Sequence, residues 1–199
     1  MDNVCWATPL YEFLRQCNDS PLEKVVLDCG AGGTEPPLSL FYHHGYQTFG
    51  LDLAERAVEE AQAFCRDNNL PLNIFRGDMR HIPFPAEAFG FVYSFNAIFF
   101  MTKPDIALSM REMERVLRPG GLLYVNFMSV DDPDWEPFCE TAPLRHLLKS
   151  ERFAHHEDDE ADAYFERFTI LRKEKRFIYK LVEQRRYHQA YIEYIARKG

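Results

Sequence analysis

The sequence predicts an α/β domain, and three observations point there. Short apolar runs alternate with helical patterns along the chain. The first β-branched run stops at a glycine cluster, Gly30-Ala-Gly-Gly33, that leads into a further helical pattern. Three acids, Asp28, Asp52 and Asp78, stand at the ends of three successive strand-like runs.

Trp6–Cys17 reads as a leading helix, because Trp6, Leu10, Phe13 and Leu14 share one face. Lys24–Asp28 reads as the first buried strand. Pro36 and Pro37 suit the opening turn of a helix, where a missing N–H costs little. That helix runs over Leu38–His44, with His43 and His44 capping its end before Gly45. Tyr46–Leu51 is the second expected strand and Ala54–Asn68 a helix rich in strong helix formers. Leu72–Phe75 and Phe91–Phe95 are the third and fourth strands. Asp105–Leu117 is a helix, broken by Pro119-Gly120-Gly121 ahead of a fifth strand over Leu122–Met128. Further on, Thr141–Ser150 reads as a helix and Glu157–Asp162 as an acidic loop or helix start. Phe168–Leu181 and Tyr187–Arg197 read as two strands joined by a turn or short helix near Glu183–Arg186.

At 199 residues the chain fits one domain with a sizeable core. The net charge of −8 argues against a duplex nucleic-acid binder. The charge is uneven. Phe165–Gly199 holds ten Lys/Arg against four Asp/Glu, a balance of +6, which leaves −14 for the rest. A solvated strand face is the expected role of that basic stretch. The five cysteines are scattered without a CxxC pair, as in a reducing compartment, so a cytoplasmic location is expected. No basic-then-apolar leader opens the chain and no window approaches a membrane span, so neither secretion nor a membrane partner is expected.

The glycine loop carries the most information. Glycines after a buried strand let the backbone turn sharply and let a ligand approach the main chain. Asp52 follows Gly30 by 22 positions, the spacing at which an acid accepts from a ribose diol. In an open α/β sheet the carboxyl ends of the strands line the ligand crevice, which is where all three acids fall.

At these residues the sequence resembles the class I S-adenosylmethionine-dependent methyltransferases. Asp28, Gly30 and Gly32 match the family's first motif, although Thr34 stands where a third glycine is usual and Gly33 precedes it. Asp52 matches the acid that holds the adenosine ribose. Gly77-Asp78-Met79 matches the adenine motif. Ile82-Pro-Phe84, Phe89-Gly-Phe-Val92 and Arg111–Gly121 match the runs around the fourth and fifth strands. The match covers about residues 20 to 128, and more loosely the terminal strand pair.

The resemblance implies a Rossmann-like three-layer sandwich. Its seven strands would run in the order 3-2-1-4-5-7-6, mostly parallel with the last strand antiparallel. Residues 1–199 would form a single domain, with 1–20 as a cap helix and 130–164 as a substrate-side insertion. The implied cofactor is S-adenosyl-L-methionine, leaving as S-adenosyl-L-homocysteine. Its expected contacts are Asp28, Cys29, Gly30, Ala31, Gly32, Asp52, Leu53, Gly77, Asp78, Met79 and Phe95. A sulfonium suits an acidic crevice. Glu35, where a dinucleotide fingerprint wants its third glycine, would repel a pyrophosphate.

Methyl transfer is an in-line displacement in which the protein supplies position and desolvation. Many relatives carry a His at the position of Phe100; here the run is Asn96-Ala-Ile-Phe-Phe-Met101, which shows no base. Tyr11, Asn96, Phe99, Phe100 and Trp135 are the candidates for contact with a small-molecule acceptor. His155-His156 with Glu157–Glu160 has the composition of a metal cluster, but adjacent histidines diverge, so a solvated acidic segment is expected and no metal. Two other functions compete with the enzyme: a cofactor-binding protein without catalysis, and an RNA or protein methyltransferase using the basic stretch.

Overall fold

A computed structural model describes residues 9–132, 154–182 and 185–199. Eight strands form one sheet in the order β3-β2-β1-β4-β5-β8-β7, with β6 attached to β5. The strands are β1 (Val25–Cys29), β2 (Gln47–Asp52), β3 (Ile74–Arg76), β4 (Phe89–Ser94), β5 (Leu117–Ser129), β6 (His155–His156), β7 (Phe168–Val182) and β8 (Arg185–Lys198). Five of them run parallel from β3 to β5; β8 is antiparallel to both β5 and β7. This is the expected path, with one strand more than the seven anticipated. The extra strand is β6, whose two residues pair in parallel with Met128 and Ser129.

The helices are α1 (Pro9–Asn18), α2 (Leu38–His43), α3 (Glu55–Asn68) and α4 (Lys103–Val116). Three of them, α1, α2 and α3, cover one sheet face. There Phe13 inserts between Phe41, Tyr93 and Tyr124, with ring centroids 5.9 to 6.2 Å away. On the other face, α4 and a 3-10 turn at Glu160–Phe165 pack Ile106, Met110, Met113 and Phe165 against Leu27, Val125 and Phe127. Both faces of β1 and β4 are therefore buried, as uniformly apolar parallel strands require.

Element ends shift for local reasons. The third strand starts at Ile74 rather than Leu72, because Asn73 is left-handed (φ 54) and its side-chain amide donates to the Thr48 carbonyl at 2.9 Å. The fourth helix starts before Asp105, because the Thr102 hydroxyl accepts from the Asp105 N–H and donates to its carboxylate. Its last carbonyls are capped from the far end of the chain, where Lys198 donates to the Glu114 and Leu117 carbonyls at 2.8 and 2.7 Å. Pro119-Gly120-Gly121 lies inside β5 as a bulge between the Phe89↔Leu117 and Phe91↔Leu122 pairs, so the strand opens five residues ahead of Leu122. The His44 ring caps α2 through the Leu40 carbonyl at 2.8 Å. The expected helix over 141–150 and residues 1–8 of the leading segment lie outside the described residues.

Candidate functional site

The glycine loop is built by contacts that exclude side chains. After Cys29 the chain turns at Gly30 (φ +107), and the N–H groups of Gly30 and Ala31 both donate to the Leu51 carbonyl, at 2.8 and 3.0 Å. A Cβ on Gly30 would sit 2.2 Å from the Ala97 Cβ, so only glycine lets the loop and the segment after β4 approach this closely. The Gly32 N–H donates to Asp52 Oδ2 at 3.0 Å, and the Ala54 N–H donates to Oδ1 at 2.9 Å. The Asp52 carboxylate is thereby fixed at the end of β2 beside the loop.

Asp28 sits one strand over and is 1% exposed, with Oδ1 lacking a hydrogen-bond partner. Burial pushes its carboxyl up to about 8; the facing Tyr93 hydroxyl offsets this in part, and the Asp52 charge adds to it. Burial thus favours the protonated acid at Asp28, which can donate as well as accept.

At the end of β3, Asp78 is gripped by Arg80, which donates from Nη2 to Oδ2 at 2.7 Å and from Nε to both oxygens. Arg80 also reaches Asp105 Oδ1 at 3.1 Å, in the first turn of α4. The guanidinium holds the Asp78 carboxyl below the usual carboxylate range. The Arg80 backbone N–H also donates to Oδ1 at 2.9 Å, so each oxygen accepts two hydrogen bonds and the orientation of Asp78 is fixed from one residue.

Seven of the anticipated residues meet in one cleft of about 400 Å³: Gly30, Asp52, Leu53, Gly77, Asp78, Met79 and Phe100. The cleft lies at the carboxyl ends of β1, β2 and β3. Ala54, Ala97 and Met101 complete its wall. Sequence reasoning missed these three because small or flexible apolar residues carry no chemical mark. The remaining candidates lie elsewhere. Cys29 and Ala31 are fully buried in the two cores, and Gly32 backs the loop. Phe95 packs near Tyr124, at 6.2 Å. Phe99 is buried and faces Tyr191 at 5.7 Å, whereas its neighbour Phe100 is 55% exposed. Tyr11 is exposed on α1. Trp135 lies outside the described residues.

Asn96, with φ 54, is held by a reciprocal pair. Its N–H donates to Asn126 Oδ1, and Asn126 Nδ2 donates to its side-chain oxygen, both at 2.7 Å. Asn126 is fully buried on β5. This pair sets the path of the chain from β4 into the 3-10 turn Ile98–Phe100. A second tie, from the Ala154 N–H to the Phe99 carbonyl at 3.2 Å, joins that turn to β6.

The two histidines of β6 diverge. His156 is buried against Phe127 and Tyr164, and burial lowers it to about 4. The acids that follow are drawn to other partners: Glu160 to Lys103, Asp158 to Lys175 and Asp159 to Lys173. Among the described residues no group of three potential metal ligands converges.

The residues from 27 to 125 match the family model described as a methyltransferase domain. Over 130 residues the chain is 35% identical to phthiotriol/phenolphthiotriol dimycocerosates methyltransferase 1 of Mycobacterium ulcerans, covering 64% of this chain and 46% of that one. It is 32% identical over 103 residues to sterol 24-C-methyltransferase of Pneumocystis carinii, covering 50% and 26%. The chain thus spans about half the length, or less, of these curated relatives. A solved structure of a putative methyltransferase from Bacillus halodurans superposes with a TM-score of 0.71 over 96% of this chain and 98% of that one. At 18% identity that likeness concerns the fold.

Proposed function

We propose that the chain, whose residues 27–125 match a methyltransferase domain, is a class I methyltransferase that moves a methyl group from S-adenosylmethionine to an apolar small-molecule acceptor. The observation that supports this most is the cleft itself: a close-approach glycine, two oriented carboxylates and apolar walls at the carboxyl ends of three parallel strands. The residues fit the cofactor. Asp52, fixed by two backbone N–H groups, keeps lone pairs for a ribose diol. Leu53 and Met79 offer apolar surface to a base, and Asp78 stands beside them with its carboxylate held by Arg80. Pro36 and Pro37 remove two N–H donors ahead of α2, which has only six residues. A pyrophosphate would find no cradle there, and a cofactor without phosphates needs none.

S-adenosylmethionine supplies an electrophilic sulfonium methyl. The chain supplies the setting. Phe100, Met101 and Ala97 form an apolar wall that excludes water, and the Asn96–Asn126 pair holds that wall in place. Positioning of this kind is worth roughly 7–11 kcal/mol of a displacement barrier. The curated relatives named above act on dimycocerosates and sterols, which agrees with an apolar acceptor. The buried free thiols Cys17 and Cys29 agree with a reducing, cytoplasmic setting.

A second reading, cofactor binding without turnover, draws on one observation. Among the described residues, the ionisable ones lining the cleft are Asp52 and Asp78, and both are already engaged, Asp52 by backbone N–H groups and Asp78 by Arg80. Calorimetry with S-adenosylmethionine, using NAD as control, tests the binding on the native protein and on Asp52→Ala. Micromolar binding that Asp52→Ala weakens by at least about tenfold is expected, a loss of about 1.4 kcal/mol. Absence of binding overturns both readings; binding without turnover across apolar hydroxylated acceptors leaves the second.

A further inference from the structure

We propose that the outer half of the β7–β8 ribbon is a docking element that seats the protein on an anionic lipid bilayer, with the cleft on the bilayer side. The docking stands on the ribbon alone; its purpose, access to an apolar acceptor, rests on the methyltransferase reading.

The ribbon outruns the sheet. The β5–β8 pairing ends at Met128↔Tyr191, while β7 and β8 continue from Phe177↔Ala190 to Val182↔Arg185. Since β8 is antiparallel to both, β7 runs the same way as β5. The extra length therefore leaves at the carboxyl ends of the parallel strands, where the cleft lies. Six residues of strand carry it about 20 Å beyond the last β5 pair. A two-stranded ribbon on its own is marginal in water.

On one face of this ribbon β7 carries an apolar row, opposite Ala190, His188 and Arg186 of β8. Phe177, Tyr179 and Leu181 fall on alternate positions and are 54, 72 and 70% exposed. A row of three large side chains, projecting clear of the core, marks a surface made to be covered. The charge names what covers it. From 176 to 188 the sequence holds Arg176, Lys180, Arg185 and Arg186 against a single acid, Glu183, in a chain of net charge −8. Closer to the sheet, β7 is neutralised, Lys173 by Asp159 and Asp162, Lys175 by Asp131 and Asp158. Among the described side chains of β7 the outermost ion pair is that of Arg176 with Glu193. Apolar side chains flanked by basic ones, with a tyrosine between phenylalanine and leucine, match the layered chemistry of an acidic bilayer surface.

Other occupants fit less well. A second copy paired along the β7 edge would align Arg172, Lys173, Lys175, Arg176 and Lys180 with themselves, against one acid, Glu174. Single-stranded RNA would want free ring faces, but Leu181 has no ring, and the Tyr179 ring packs 4.6 Å from that of His188. The expectation of no membrane partner considered spanning segments. Among the described residues no helix is long and apolar enough to cross a membrane, and docking by a ribbon needs none.

The test is co-sedimentation of the whole chain with phosphatidylcholine vesicles, with and without phosphatidylglycerol. The native protein is expected to bind the mixed vesicles, less so at high salt, and to ignore pure phosphatidylcholine. Phe177→Ser, Tyr179→Ser and Leu181→Ser together should cut binding at least about tenfold, since returning even one such side chain to water shifts an equilibrium that far. Arg186→Glu, which spares the apolar row, should weaken binding severalfold. Circular dichroism and S-adenosylmethionine binding, unchanged in both variants, show that the fold survives. Failure to bind either vesicle overturns the proposal, as does equal binding of both vesicles or undiminished binding by the triple variant. RNA binding or self-association lost in the triple variant, without vesicle binding, also overturns it. Vesicle binding by a protein that does not bind S-adenosylmethionine keeps the docking and removes the methyltransferase reading.

Discussion

Gly32 and Asp52 are joined by a 3.0 Å hydrogen bond from the glycine N–H to the carboxylate, which locks the loop after β1 onto the end of β2. The contact leaves no room for a side chain. A Cβ on Gly32 would lie 2.5 Å from the Ala57 Cβ and 2.7 Å from Asp52 Oδ2. Gly32→Ala must therefore displace the carboxylate or α3. It is expected to weaken S-adenosylmethionine binding by at least about tenfold and to cost about 1–3 kcal/mol of stability. Calorimetry and urea unfolding on the same preparation check both parts. Native-like binding would mean that the loop can relax without moving Asp52.

Asp28 makes a prediction about pH. Its folded-state carboxyl is raised to about 8, against about 4 for an unfolded aspartate. Between these values the folded state holds the extra proton, so stability falls as pH rises. The contribution is full below about pH 4 and is lost by about pH 8. Asp28→Asn, which cannot ionise, should flatten that slope. Urea unfolding from pH 4 to 8 on both proteins reads the difference directly, and parallel pH profiles would show that Asp28 ionises freely in the fold.

Asn96 and Asn126 should respond unequally. Removing the Asn126 side chain strands the Asn96 N–H and opens a gap in a fully buried position, so Asn126→Ala should cost about 1–3 kcal/mol. Asn96→Gly keeps the N–H, suits φ 54 and removes the acceptor of Asn126 Nδ2 at an exposed position that water can reach, so it should cost less than Asn126→Ala. Thermal unfolding of the two variants checks the order. If methyl transfer occurs, Asn126→Ala should lower kcat more than Asn96→Gly, because it loosens the turn that carries Phe100.

Much of this architecture is legible in the sequence because the signals are local. The run Val25–Cys29 into Gly30 announces a buried strand and a tight turn, and Asp52 and Asp78 fall at strand ends by simple counting. What is not legible depends on distant partners. Phe99 and Phe100 are equivalent as letters; Phe99 turns inward because Tyr191, 92 positions later, waits for it. The strand β6 is too short to show a period and exists because Met128 and Ser129 offer it a free edge. Ala97 belongs to the cleft through the absence of a side chain on Gly30, a relation that no spacing rule expresses.

The position of β8 has a consequence for how the protein is made. Among the described strands, β5 takes its outer neighbour from β8, which begins 56 positions after Ser129. A ribosome adding about 5–20 residues per second needs several seconds to travel from Ser129 to that strand. During this interval β1 to β5 exist without β8, and the edge of β5 carrying Leu122, Tyr124 and Phe127 stays open. Closure comes when the β7–β8 hairpin, which zips on its own in about 1–10 μs, arrives to cover it.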